Sequence, residues 1–231
     1  MKLPIFSLGL LFLMCSLHST AMSQSKDSIT IWVVEPSEAV VGNLQRIKKF
    51  PSKLITPRTV DVWLPESYSP QKKYAVLYMN DGQMLFDSTT TWNKKEWRVD
   101  ETADSLISNG ITRPFIVVGI YNDPPNRYAE FFPQQASLYM DTAYVSTLTS
   151  SLWNGELRAD YYLEWITKAL IPFVDKSYSV SHKREDRFLI GSSMGGLISL
   201  YGLTQKSKTF GGAACLSIHT PMINLQMMGD D

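Results

Sequence analysis

The sequence predicts an α/β fold: a central, mostly parallel sheet with antiparallel strands at its N-terminal side and helices on both faces. Three observations predict it. Continuous apolar runs at 74–79, 114–121, 188–190 and 213–218 have the length and composition of strands buried on both faces. Segments with apolar residues at helical spacing lie between them, at 97–109 and 160–175 and from Met194 onward. Finally, residues 187–201 run from an apolar strand through Gly191-Ser192-Ser193-Met194-Gly195 straight into a helical pattern.

Length and composition set the frame. The chain has 231 residues, 44% hydrophobic and 19% charged, enough to bury the core of one domain. Its formal net charge is zero, so no electrostatic footprint points to nucleic acid. Residues 1–23 have the pattern of a secretory signal: Lys2, an apolar stretch over 3–17, and small residues Ala21 and Ser23 before Gln24. That stretch is shorter than the roughly 20 residues needed to span a bilayer. The expectation is therefore a signal peptide at 1–23, one α/β domain over 24–231, a secreted or periplasmic location and no stable membrane anchor. Cys15 would leave with the signal, and Cys215 alone cannot form an intramolecular disulfide.

In chain order, an early strand is expected over 28–34. Two antiparallel strands should follow at 43–50 and 58–64, with Val60, Val62 and Leu64 on one face and Thr59, Asp61 and Trp63 on the other. The 74–79 strand ends in Asn80-Asp81-Gly82-Gln83, a tight turn. The helix over 97–109 has Asp100 placed to cap it and Asn109-Gly110 to stop it. The 114–121 strand leads into a proline-rich loop, 122–127, at the sheet edge that carries the binding crevice in open α/β folds. Asn122 and Arg127 are pocket candidates there, with Glu130, Tyr128, Phe131 and Phe132 beside them. Residues 139–155 are read as a short helix or a lid. The 160–175 helix is expected to kink near Pro172. His219 follows the last strand and is a further pocket candidate. No His, Cys, Asp or Glu cluster has metal-ligand spacing, and no cofactor is implied.

The G-x-S-x-G pattern carries the functional reading. By itself it is weak, because glycine and serine are common. Between a strand and a helix it has the context of a nucleophile elbow, in which a serine stands at the strand's C-terminal edge in a strained backbone conformation. Ser193 is the candidate nucleophile. Gly191 and Gly195 leave room for the chain to double back, and Gly196 lets the helix approach the sheet. In such a site one oxyanion donor is the amide of the residue after the nucleophile, here Met194. The second comes from the loop after an earlier strand, and Gln83 is the candidate there.

Four segments together resemble one family. Residues 58–65 (RTVDVWLP), 76–83 (VLYMNDGQ), 126–133 (from Asn126-Arg127 to Pro133) and 191–196 are similar to the esterase family of α/β-hydrolases, which includes enterochelin-esterase-like and esterase-D-like enzymes. The resemblance implies an α/β-hydrolase fold and hydrolysis of a small-molecule carboxylic ester through an acyl-serine, with no cofactor. It names no substrate and no oligomeric state. It also implies a triad acid and histidine on loops after later strands. Only His219, Asp230 and Asp231 follow Ser193 as candidates, so the expectation is a C-terminally incomplete chain, weak or inactive alone. His219, directly after the neighbouring strand, is not where the family places its base, and His182 belongs to the opposite sheet edge. Two other readings stay open at this stage: an acyltransferase of the same fold, and a non-catalytic binding module on a hydrolase scaffold.

Overall fold

A computed structural model describes residues 29–30, 32–33, 40–89 and 91–218. The signal-like segment 1–23 and His219 lie outside the described residues. Among the described residues, seven strands form one sheet in the order β1-β2-β3-β5-β4-β6-β7. They are β1 (Trp32–Val33), β2 (Asn43–Phe50), β3 (Arg58–Leu64), β4 (Ala75–Asn80), β5 (Phe115–Ile120), β6 (Arg187–Ser192) and β7 (Gly212–Leu216). Pairing is antiparallel from β1 through β3 to β5, and parallel across β5, β4, β6 and β7. This mixed sheet, with helices packed against it, is the expected fold class.

Strand alternation divides the core into two layers. Val76 and Tyr78 of β4, Val60, Val62 and Leu64 of β3, and Ile116, Val118 and Ile120 of β5 share one cluster. That cluster continues into α4 (Ala159–Trp165), α5 (Ile171–Ser177) and α6 (Met194–Gln205). Met79, Trp63 and Val117 point the other way, toward Ala103 of α1 (Val99–Ser108). The face assignment made for β3 from its alternation therefore holds.

Three local expectations are refined. Asp100 does not cap α1. The cap position is Arg98, in the left-handed region at φ 53°, and the buried Asp100 carboxylate instead accepts the Val41 N–H at 2.8 Å. Just before Pro172 the long helix widens into a π turn at Ile166–Leu170, which joins α4 to α5 with helical dihedrals at both junctions. Proline has no N–H to donate and its ring crowds the carbonyl four residues back, so the preceding turn opens. Within 139–155 the chain forms α3 (Thr142–Ser151), capped by the Asp141 carboxylate accepting the Tyr144 N–H at 3.0 Å.

Of the loop residues beside Arg127, most belong to the interior. Glu130 and Phe131 are fully buried, Phe132 nearly so, and Tyr128 is exposed. They form α2 (Arg127–Phe131) and its exit, packed against α4 and α6. Among the described residues no helix is long and apolar enough to cross a membrane.

Candidate active site

The elbow is built by backbone sterics. β6 ends at Ser192, α6 begins at Met194, and Ser193 between them sits at φ 59° and ψ −124°. That region is open to glycine and costly for a residue with a Cβ. The surroundings hold it there. The Ser193 N–H donates to the Leu216 carbonyl of β7 at 2.9 Å, and its own carbonyl accepts from Gly196 and Leu197, both at 3.1 Å. A Cβ on Gly191 would lie 2.2 Å from the Gly195 carbonyl oxygen, so only glycine permits so sharp a return. Ser193 itself is half-buried, while Met194, Gly195 and Gly196 are buried.

The second loop comes from the strand next door. β4 pairs with β6 in parallel, so the end of β4 and the elbow emerge at the same sheet edge. Asp81 turns the chain in the left-handed conformation, at φ 60° and ψ 44°, and a single 3₁₀ turn, Gly82–Met84, follows. Gly82 presses on β5: a Cβ there would fall 2.5 Å from the Gly119 carbonyl carbon. Gln83 is the second residue of that turn and Met194 the first of α6, positions whose N–H groups have no acceptor within their own helix. Two orphan amides, on adjacent strands' exits, thus share an edge with the Ser193 hydroxyl.

Asn80 locks the two loops together. Its side-chain amide donates to the Gly195 carbonyl at 3.1 Å and to the Ser199 hydroxyl at 2.9 Å, and its side-chain oxygen accepts from the Tyr162 hydroxyl at 2.6 Å. Ser199 in turn donates to the Gly195 carbonyl at 2.7 Å. Burial pushes the Tyr162 phenol far above its ordinary range, which keeps it a donor. All three side chains are fully or almost fully buried.

Asn122 and Arg127 both reach this loop, and both are bound to Asp81. Asn122 donates to its carboxylate at 2.6 Å, and Arg127 makes a two-pronged pair through Nε and Nη2, each at 2.8 Å. The Asn122 N–H also donates to the Gln83 side-chain oxygen at 3.2 Å. Burial works to lower the Arg127 pKa, but the hydrogen bonds and charge of Asp81 outweigh it, and the guanidinium is held above its ordinary value. The Asp81 carboxylate lies against the elbow: a Cβ on Gly195 would be 3.0 Å from its Oδ2.

Asn80, Tyr162 and Ser199 are the members that sequence reasoning passed over. The sequence did carry one signal for Asn80, since an apolar run breaks there into a polar residue at the expected loop edge. Tyr162 and Ser199 had none, because their partner is 82 and 119 residues away. His182, the one histidine among the described residues, is exposed and precedes β6, at the end of the sheet opposite Ser193. No group of three metal-binding side chains occurs among the described residues. A groove of about 550 Å3, lined by Gln134, Leu138, Trp153 and Tyr161 among others, shares no residue with this site.

The sheet order and the strand–turn–helix at Ser193 define an α/β-hydrolase fold. Within that class the chain belongs to the family described as "Putative esterase", whose model matches residues 52–229. It is 27% identical over 192 residues to an endo-1,4-beta-xylanase/feruloyl esterase of Xylanibacter ruminicola, covering 78% of this chain and 22% of that protein. Among solved structures it is similar to a ferulic acid esterase, with TM-score 0.54 and 20% identity over 79% of this chain and 60% of that one. It also resembles the enterochelin esterase of Shigella flexneri, with TM-score 0.52 and 17% identity over 74% of this chain and 34% of that one. Two curated Bacillus subtilis relatives are matched over only 56% and 59% of their own length.

Proposed function

We propose that this protein is an exported serine esterase with Ser193 as nucleophile. The observation that carries the reading is the conformation of Ser193: a non-glycine residue at φ 59° and ψ −124°, between a parallel strand and a helix. Structures hold such strain where a side chain has to be aimed. The family's printed description and the ferulic acid and enterochelin esterases among similar structures support an ester as the substrate class.

The chemistry is acyl transfer in two steps. Ser193 Oγ attacks the ester carbonyl carbon and its proton passes to a general base. The carbonyl oxygen becomes an oxyanion facing the Gln83 and Met194 amides. Collapse breaks the bond to the alcohol, which leaves with that proton. Water then attacks the acyl-serine by the same route and releases the acid. His219, the histidine following Ser193 in the sequence, lies outside the described residues. Residues 1–23 support export, which cell fractionation would check.

The test is labelling by a fluorophosphonate, alongside turnover of activated aryl esters. The unvaried chain should label at Ser193 and hydrolyse weakly, and Ser193→Ala should lose both. In a site complete with its general base, removing the serine nucleophile costs on the order of 10⁶ in kcat. Labelling that survives in Ser193→Ala would refute the assignment. Transfer of the acyl group to an added alcohol, in preference to water, would identify an acyltransferase.

A further inference from the structure

We infer that Arg127 is a positioning and charge-neutralising residue of the oxyanion hole, acting through Asp81 rather than on substrate. This rests on the reading of Ser193, Met194 and Gln83 given above. Asp81 lies where the two loops meet. It is two residues before the Gln83 amide, and its Oδ2 packs on Gly195, the residue after the Met194 amide. One buried carboxylate therefore touches or adjoins both loops that carry the proposed donors. Its side chain is 5% exposed.

That placement creates a conflict. The transition state for ester cleavage builds negative charge between the Gln83 and Met194 amides, and a site that stabilises it should not hold an uncompensated carboxylate alongside. Arg127 resolves it. Its guanidinium caps both Asp81 oxygens at 2.8 Å, and the Asn122 amide adds a third hydrogen bond at 2.6 Å. The arginine is itself held in place by the Phe131 ring, 5.1 Å from the guanidinium carbon. The pair does two separable things. It fixes the left-handed turn at Asp81, and so the position of Gln83, and it removes a net negative charge from beside the oxyanion.

The two roles predict different orders of damage. If the pair only fixes geometry, Arg127→Met, Asp81→Asn and the double variant should all be impaired alike, since each breaks the pair. If neutralisation matters, the order follows the charge left behind. Arg127→Met leaves a carboxylate and is the worst. Asp81→Asn leaves a cation and is the mildest. The double variant leaves neither, and recovers part of what Arg127→Met lost.

The experiment measures aryl-ester turnover and the rate of fluorophosphonate labelling on the full chain in all four forms. Labelling joins Ser193 Oγ to phosphorus, expels fluoride and passes the serine proton to the base, while a phosphoryl oxygen takes the oxyanion position. Arg127→Met is expected to lower kcat and the labelling rate about 10- to 100-fold with little change in KM, short of the 10²–10³ that losing an oxyanion donor costs. Adding Asp81→Asn should restore part of that loss, about three- to tenfold. Equal damage in all three variants would overturn the neutralising role, and a rise in KM with kcat unchanged would make Arg127 a substrate contact instead. Unfolding curves run in parallel exclude collapse as the cause: a double variant less stable than Arg127→Met yet faster still supports the inference. If labelling of the unvaried chain falls on a residue other than Ser193, the Ser193 reading fails first and this inference with it.

Discussion

Ser193 bears a cost that the chain could shed only by giving up the proposed nucleophile. Its backbone lies in territory that costs about 1–3 kcal/mol for a residue with a Cβ. Alanine keeps the Cβ and so keeps the strain, whereas glycine removes it and loses about 0.5–1 kcal/mol to extra chain entropy. Ser193→Gly should therefore be more stable than Ser193→Ala by about 1 kcal/mol, or roughly 2–4 °C in Tm for a chain of this size. Thermal unfolding of the two variants decides it, and a Ser193→Gly protein melting no higher than Ser193→Ala would mean the elbow is not strained. Residue identity made this position legible in advance: glycines at 191 and 195 around a serine leave few alternatives once a strand precedes and a helix follows. The partners of Asp81 were not legible. An Asp-Gly turn reads as an ordinary surface feature, and only the fold brings Arg127 and Asn122 to its carboxylate across 46 and 41 positions.

Strands were the most legible elements and helix ends the least. Continuous apolar runs mark β4, β5 and β6 directly, because strands buried on both faces admit little else. Asp100 shows why helix ends resist. An acidic residue near the start of a helical pattern has the chemistry of a cap, yet here a left-handed Arg98 starts α1 and Asp100 turns inward to the Val41 amide. No local signal distinguishes the two uses. The inward turn has a measurable consequence. Burial raises the Asp100 pKa from its model-compound value of 3.8 to about 6. Between those two values the folded chain retains a proton that the unfolded chain has released. Stability contributed at this site is thus fully present below about pH 4 and falls as pH rises toward 6, with the penalty constant above. Asp100→Asn cannot ionise and keeps an oxygen for the Val41 N–H. Its Tm relative to the unvaried protein should climb from pH 4 to pH 7, and a difference independent of pH would contradict the shift.

At the scale of the molecule, the site depends on how the helical layer is fastened to the sheet. One fastening is the buried pair between Arg58, at the start of β3, and Glu130 on α2, joined by two bonds of 2.7 Å with side chains 3% and 0% exposed. Arg58 also lies 5.6 Å from the ring centres of both Tyr162 and Trp165 on α4. It therefore ties the antiparallel side of the sheet to α2 and α4, the helices that carry Arg127 and Tyr162 to the two loops of the candidate site. A buried pair of this kind adds little net stability over well-packed apolar residues, but removing one partner strands a charge at a cost of about 3–5 kcal/mol. Arg58→Met should accordingly lower Tm by roughly 6–20 °C. Removing the stranded carboxylate as well, in Arg58→Met/Glu130→Leu, should return most of that loss, because the penalty comes from the unpaired charge and not from the missing bond. High salt should not reproduce the effect in the unvaried protein, since screening reaches exposed pairs and leaves buried ones largely untouched. If Arg58→Met unfolds where the unvaried chain does, or the double variant is worse than the single, then the pair is not what holds α2 and α4 in place, and the alignment of both loops has to come from the apolar contacts beneath them.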